Sequence, residues 1–199
     1  MIPTSVGGDG VTRCAWGNSA PEYPAYHDAE WGFPVADDRL LFEKLSLEGF
    51  QSGLSWITIL RRRPGFRAAF FNFEVERVAA MGEADVARLM QDAGIIRHRN
   101  KITSTITNAA LAIDLASEFG SLGSFFWRYE PGPGPRKVET TSPESVAMAK
   151  DLKQRGFRFV GPTTSYAFMQ AMGIVNDHAP NCASHPRAVA ARAHFVVPA

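Results

Sequence analysis

Two cysteines and two histidines form pairs at opposite ends of the chain. Cys14 is followed by His27, His178 is followed four residues later by Cys182, and no other cysteine occurs among the 199 residues. Thiolate and imidazole are the ligands that Zn²⁺ prefers, and four of them close its tetrahedral shell, as in structural sites. The pattern therefore predicts one structural zinc ion that joins the two termini. Two unrelated thiols with solvated histidines, or a disulfide, are the alternatives, and His185 is a further candidate ligand.

A glutamate, Glu48, occupies a position in a helical pattern where apolar residues are expected. It follows Leu41 by seven residues and Leu45 by three, so on a helix it shares their inward face. A buried carboxylate is costly without a partner, and such a group often has a shifted pKa or binds a ligand. An arginine partner or a nearby helix N-terminus is the alternative explanation.

Most of the tryptophans and tyrosines lie close to Glu48 in the sequence: Trp16, Tyr23, Tyr26, Trp31 and Trp56. Packing in the core is the simpler explanation for any one of these rings. Together with one inward anion, however, they predict a pocket for a flat, cationic, aromatic ligand, because electron-rich rings attract a cation by stacking and cation–π contact.

The segment 156–169 predicts two helices joined by a tight turn. The turn reaches Gly161, and Pro162 opens the second helix. Such a turn suits a DNA phosphate, because glycine allows close approach and the free N–H groups of a helix N-terminus receive an anion. A plain helix–turn–helix corner is the alternative. Basic clusters lie beside the turn and elsewhere: Arg155 and Arg158, Arg61 to Arg63, and Arg97 to Lys101.

The hydrophobic periodicity predicts an all-α fold. One helix, which Asp37 or Asp38 can cap, runs to about Gly49, a second ends before Pro64, and the longest covers about residues 97–119 and is stopped by Gly120. The aromatic-rich segment 14–34 predicts irregular backbone, and a proline- and glycine-rich loop is expected at 130–136. No alternating run is long enough to predict a strand.

The composition is that of an ordinary globular protein, with 45% apolar residues, 21% charged residues and a net charge of +1. No apolar run approaches the ~20 residues that a membrane span requires. The start of the chain lacks the basic and apolar regions of a signal peptide, and residues 1–12 predict a flexible leader. With two cysteines and no export signal, we expect the reducing cytoplasm, which disfavours a disulfide.

Seven stretches of the sequence resemble a known family: 13–17 (RCAWG), 25–32 (AYHDAEWG), 47–49 (LEG), 53–57 (GLSWI), 91–99 (QDAGIIRHR), 155–161 (RGFRFVG) and 176–178 (NDH). They resemble the bacterial 3-methyladenine DNA glycosylases of the constitutive, type I kind, within the helix–hairpin–helix glycosylase superfamily. The resemblance covers residues 13 to 186.

The resemblance implies an enzyme that cleaves the N-glycosidic bond of 3-methyladenine in alkylated double-stranded DNA. Free 3-methyladenine is released and an abasic site remains. It also implies the zinc ion, because Cys14, His27, His178 and Cys182 fall on the family's ligand positions. Glu48 falls on the carboxylate that recognises the methylated base.

The remaining site residues follow from the resemblance in the same way. Tyr26 and Trp56 fall on the stacking aromatics, and the pocket is completed by Trp16, Tyr23 and Trp31. The short loop that wedges into the duplex corresponds to Gly53 and Leu54. In the hairpin, we expect DNA contacts from Gly161, Thr163 and Arg158.

The predicted glycosylase domain covers 13–186, with the helix–hairpin–helix element at about 150–172 and a C-terminal tail at 187–199. We expect a monomer that does not bind membranes. The sequence departs from the family at Phe50, where a polar residue is expected, and at Phe159, where the hairpin usually has glycine. No lysine is clearly placed for Schiff-base chemistry, so base removal without strand cleavage is expected. The alternative from another class is a non-catalytic, zinc-stapled DNA-binding module.

Overall fold

The computed structural model describes residues 2–132 and 138–199, so most of the predicted loop at 130–136 lies outside the described residues. The described helices are α1 (Tyr23–Ala29), α2 (Asp38–Gln51), α3 (Trp56–Ala69), α4 (Val75–Ala79), α5 (Glu83–Leu89), α6 (Arg99–Phe119), α7 (Leu122–Trp127), α8 (Pro143–Gln154), α9 (Pro162–Ala171) and α10 (Ser184–His194). Two strands, β1 (Thr4–Val6) and β2 (Thr12–Cys14), pair antiparallel with Thr4 opposite Cys14.

The predominantly helical fold is confirmed, and it includes a short β-hairpin that the sequence did not predict, with β1 inside the predicted leader at 1–12. β1 and β2 form a hairpin, and the C-terminal segment is bound to it, since the Ala183 N–H donates to the Thr12 carbonyl at 2.9 Å. Each strand has three residues, which is too short for the alternating pattern that predicts a strand.

Two helices also differ from the predictions. Residues 23–29 form α1 within the segment predicted to be irregular, and Pro24 lies in its first turn, where a missing N–H is tolerated. Helix α3 continues through Pro64 to Ala69. Burial of Phe66 and the ion pairs of Arg63 on this helix offset the hydrogen bond that proline removes.

The predicted tail at 187–199 is partly helical, because α10 extends to His194. Ala188 on this helix is buried, and the Phe195 ring that follows lies 4.5 Å from the Trp127 ring. The end of the chain therefore packs onto the helical body.

Helix α2 passes through the centre of the core, and each residue from Leu41 to Phe50 is buried. The Asp37 carboxylate caps its N-terminus by accepting the Leu40 N–H at 2.8 Å, as the sequence predicts. The buried residues of α2 include three charged ones: Glu43, Lys44 and Glu48. Each of these charges needs a partner inside the fold.

Arginines from neighbouring turns surround Glu43. Its carboxylate accepts Arg63 Nε at 2.5 Å, Arg67 Nε at 3.0 Å and Arg39 Nη1 at 3.4 Å. Arg63 also donates through Nη1 to Glu30 at 2.5 Å, immediately after α1. This network connects α1, α2 and α3. It also removes Arg63 from the basic cluster at 61–63, whose other two arginines are exposed.

Replacement of Glu43 by glutamine is expected to lower the free energy of unfolding by about 3 kcal/mol, because the buried Arg63 loses its buried anionic partner and keeps only the partly exposed Glu30. Urea denaturation measures the change. Glu74→Gln is the control, since Glu74 forms an exposed pair with Arg77 and should change stability by less than about 0.5 kcal/mol. Equal effects of the two substitutions would contradict this role of Glu43.

Candidate active site and metal centre

A cavity of about 340 Å³ opens between the N-terminal segment and helices α1, α2, α3 and α9. Its lining contains all five predicted pocket aromatics, Glu48 and four further residues: Ile2, Gln51, Ala167 and Gln170. The structure therefore brings the predicted binding residues together around one cavity.

The aromatic rings of this cavity pack edge to face around Trp16. Its ring centroid lies 5.3 Å from that of Tyr23, 6.2 Å from that of Tyr26 and 5.0 Å from that of Trp31. Tyr23 and Tyr26 share one side of α1 because residues three apart are neighbours on a helix. Trp56, at the start of α3, lies 5.4 Å from Tyr26 with the ring planes inclined by 42°.

Glu48 lines this cavity with only 5% of its surface exposed. Burial raises the pKa of its carboxyl to about 7, while the charge of Lys44 acts in the opposite direction. Among the described residues, no side chain or backbone group donates a hydrogen bond to this carboxylate. Its acceptor oxygens are thus available to a ligand in the cavity.

Lys44 is a residue that the sequence analysis missed. It is 1% exposed, and its Nζ donates to the Tyr26 hydroxyl at 3.0 Å. The same nitrogen lies 4.5 Å from the ring centroids of both Tyr26 and Trp56. Burial lowers the pKa of this ammonium to about 8, although the charge of Glu48 favours its protonated form. Its position four residues before Glu48 on the inward helix face is the signal that could have identified it.

Asp177 is a second residue that the sequence analysis missed, and it orients the cavity residue Gln170. The buried Asp177 accepts the Tyr166 hydroxyl at 2.7 Å and Gln170 Nε2 at 2.9 Å. Gln170 lines the cavity, so this carboxylate orients its amide. The stretch 176–178 marked Asp177 as notable but gave no indication of this contact.

Phe50 does not contribute to the cavity, contrary to the expectation of an altered pocket edge. Its side chain is buried and packs against Phe66 and Phe70, with centroids 4.6 and 6.0 Å away. The phenylalanine is therefore a core residue here.

The two cysteine–histidine pairs meet in a buried cluster that could hold a metal ion. One ligand atom from each of Cys14, His27, His178 and Cys182 lies within 4.8 Å of all the others. Both cysteines are free, so the structure does not contain the alternative disulfide. His185 is outside the cluster. Residues 178–182 form a turn before α10 rather than the helix that their spacing suggests.

Hydrogen bonds orient both imidazoles toward the cluster. His27 Nδ1 lies 2.8 Å from Asp28 Oδ1, which leaves Nε2 facing Cys182. His178 Nε2 donates to the Trp31 carbonyl at 2.9 Å, which leaves Nδ1 facing both thiols. Burial lowers the pKa of both rings, that of His178 to about 4, so they are neutral and able to coordinate a metal.

The predicted wedge residues lie at the tip of the turn between α2 and α3. Gly53 has a left-handed φ of 80°, which allows the tight turn, and the side chain of Leu54 is 41% exposed. The turn therefore presents an apolar side chain at the surface.

The predicted hairpin joins α8 to α9, and its turn lies beside the wedge turn. Arg158 and Thr163 are exposed, and Phe159 adopts φ 57°, the left-handed conformation that usually requires glycine. Lys101 links the two turns, because its Nζ donates to the Ser52 carbonyl at 2.6 Å and lies 5.9 Å from the Phe159 ring.

An aromatic cavity with a free buried carboxylate suits a flat, cationic heterocycle. The family model for methyladenine glycosylase matches residues 16–185. The chain is 46% identical over 183 residues to DNA-3-methyladenine glycosylase 1 of Escherichia coli (strain K12), covering 88% of this chain and 98% of that protein. This chain belongs to the methyladenine glycosylase family.

Solved structures agree with this assignment. A crystal structure of 3-methyladenine DNA glycosylase I is 48% identical, has a TM-score of 0.82, and the match covers 87% of this chain and 100% of that chain. A variant of 3-methyladenine DNA glycosylase I in complex with 3-methyladenine is 36% identical, also with a TM-score of 0.82, over 87% of this chain and 97% of that chain.

Asp28→Asn is expected to lower the affinity of the cluster for a divalent metal ion by about 10–100-fold, because His27 loses the anionic acceptor that orients it. Competition with a chelating dye measures this affinity. Asp9→Asn is the matched control, since Asp9 also binds Arg13 but does not contact either histidine. The role assigned to Asp28 fails if both variants bind metal as tightly as the unmodified protein.

Proposed function

We propose that this protein excises 3-methyladenine from alkylated double-stranded DNA by hydrolysis of the N-glycosidic bond. The observation that carries the proposal is the buried Glu48 carboxylate, which has no donor among the described residues and lines an aromatic cavity. The cavity volume lies within the usual range of about 300–1,000 Å³ for small-ligand sites. Membership in the methyladenine glycosylase family supports the choice of base.

The damaged nucleotide must leave the duplex before its base can enter the cavity. Extrusion costs a few kcal/mol and is easiest for damaged bases. The exposed Leu54 fills the gap left in the base stack, and Gly53 permits the turn that presents it. Arg158, Gly161 and Thr163 at the hairpin turn contact the DNA backbone, in a helix–hairpin–helix element formed by α8 and α9.

Charge distinguishes the lesion from adenine. Methylation at N3 of the nucleotide places a positive charge on the base, which stacks on Tyr26 and Trp56 with a cation–π energy of about 2 kcal/mol when desolvated. Ionised Glu48 accepts a hydrogen bond from the amino edge of the base, with the added strength of a charged acceptor. Neutral adenine gains neither electrostatic contribution. The remaining aromatics, Trp16, Tyr23 and Trp31, enclose the base.

The positive charge also makes the base a good leaving group. The bond between C1′ and the base nitrogen breaks, and its electron pair neutralises the base. Water attacks C1′ and loses a proton, which leaves an abasic site. No lysine is among the residues that line the described cavity, since Lys44 lies behind the rings of Tyr26 and Trp56. Base release without strand cleavage is therefore expected.

The cysteine–histidine cluster fits one structural zinc ion. Zn–S and Zn–N bonds of about 2.3 and 2.0 Å in a tetrahedron place sulfur and nitrogen about 3.5 Å apart. The observed S···N distances are 3.6 Å for Cys182 and His27, 3.7 Å for Cys182 and His178, and 3.8 Å for Cys14 and His178. Four protein ligands leave no open position, so the ion stabilises the fold and takes no part in hydrolysis.

No helix among the described residues could cross a membrane. The two free, buried thiols suit a reducing compartment, which supports a cytoplasmic location for the proposed monomer.

Glu48→Gln is expected to reduce excision of 3-methyladenine by about 10–100-fold while leaving the fold intact, because the neutral amide loses the charge-assisted contact. Release of free base from methylated duplex DNA measures the rate, and Glu83→Gln on the surface of α5 is the control. If the unmodified protein binds methylated and plain duplex equally and releases no base, it is instead a non-catalytic DNA-binding module.

Cys14→Ala is expected to abolish stoichiometric zinc and to lower the thermal unfolding midpoint by about 10 °C, with excision retained at temperatures where the variant is folded. Metal analysis, calorimetry and the same base-release assay test this. His185→Ala should retain the metal, because His185 is outside the cluster. A zinc-free variant that is fully folded but inactive would show that the metal participates in catalysis.

A further inference from the structure

Lys44 places a buried positive charge against the two rings proposed to stack on the base. Its Nζ lies 4.5 Å from the ring centroids of Tyr26 and Trp56 and donates one hydrogen bond, at 3.0 Å, to the Tyr26 hydroxyl. No carboxylate of the described residues lies within 4.0 Å of this nitrogen. An ammonium in this position is unexpected beneath a pocket for a cation, because it repels the ligand.

The charged groups around Lys44 identify the partner that accounts for it. Glu43 and Glu30 face it from α2 and from the end of α1, but both carboxylates are already bound by Arg63. Arg63 itself faces Lys44 from α3 and is repulsive. Helix α9 contributes only Ala167 and Gln170 to the cavity, and neither titrates.

Glu48 is the remaining carboxylate, one helical turn after Lys44, and it has no other cationic partner among the described residues. Side chains four apart on a helix are neighbours, with about 5–6 Å between their Cβ atoms. An opposite charge within about 4–6 Å lowers the pKa of a carboxyl by 1–3 units. Without Lys44, burial alone would favour the protonated form of Glu48 at neutral pH.

We propose that Lys44 is a positioning residue that favours the ionised form of Glu48 near neutral pH and fixes the orientation of Tyr26. This inference rests on the proposed function, because the ionised Glu48 is what selects the cationic base. The repulsion between Lys44 and the base is the accompanying cost. Glu48 contacts the base edge directly, whereas the ammonium is separated from it by the rings, so the gain from ionised Glu48 exceeds the repulsion.

The first test is the pH dependence of kcat/KM for excision by the Lys44→Met variant. Removal of the positive charge raises the pKa of Glu48, and Glu48 acts in its ionised form. The acidic limb of the profile should therefore shift to higher pH by about one to two pH units. We expect kcat/KM to fall about tenfold or more at pH 7 and to approach that of the unmodified protein at pH 9, where most of Glu48 is ionised and Lys44 of the unmodified protein is itself largely neutral.

Matched variants separate this role from simple loss of packing. Glu48→Gln should not recover at high pH, because it has no carboxyl to ionise. Lys44→Gln retains a donor for the Tyr26 hydroxyl without the charge, so it should show the same shift and replaces Lys44→Met if that variant folds poorly. Arg88→Met removes one exposed positive charge from α5 and should leave the profile unchanged.

A direct measurement follows Glu48 without relying on activity. Protein carrying ¹³C-labelled glutamate is titrated by NMR, and the Glu48 carboxyl signal is assigned by its loss in Glu48→Gln. The signal should titrate at higher pH in Lys44→Met than in the unmodified protein. An unchanged Glu48 titration, or a kinetic profile reduced equally at every pH, overturns the proposal. Failure of the unmodified protein to release base overturns the proposed function instead.

Discussion

Burial of three charged side chains on one helix is the constraint from which the rest of this structure follows. Helix α2 has no solvent-exposed face between Leu41 and Phe50, so Glu43, Lys44 and Glu48 must each be satisfied inside the protein. Arginines surround Glu43 and join three helices. Aromatic rings and a hydroxyl surround Lys44. Glu48 is the one whose carboxylate has no donor among the described residues, and the cavity forms around it.

The metal centre and the base pocket share helix α1 and the rings around it. His27 belongs to the metal cluster, and the adjacent Tyr26 lines the cavity. Trp31 contacts both sites, since its ring lies 4.8 Å from His178 and 5.0 Å from Trp16. The proposed zinc ion would therefore stabilise a wall of the cavity through these ring contacts.

The sequence predicted the features that local chemistry specifies. Asp37 caps α2 as expected, Gly120 ends α6 in the left-handed conformation, and the predicted metal ligands and pocket aromatics meet in space. It failed where tertiary contacts decide the outcome. Helix α3 continues through Pro64 because its neighbours bury the residues on either side of it. Lys44 resembled a surface residue, because its role depends on rings supplied by other helices.

The four residues of the cysteine–histidine cluster are as many as 168 positions apart along the chain, from Cys14 to Cys182. The entropic cost of closing such a loop in an unfolded chain increases with the length of the loop. The packed helices bring the two ends together. During synthesis Cys14 and His27 are made early, and nearly the whole polypeptide must follow before His178 and Cys182 are present. Complete coordination of the proposed zinc ion therefore requires that both ends of the molecule have reached their native positions.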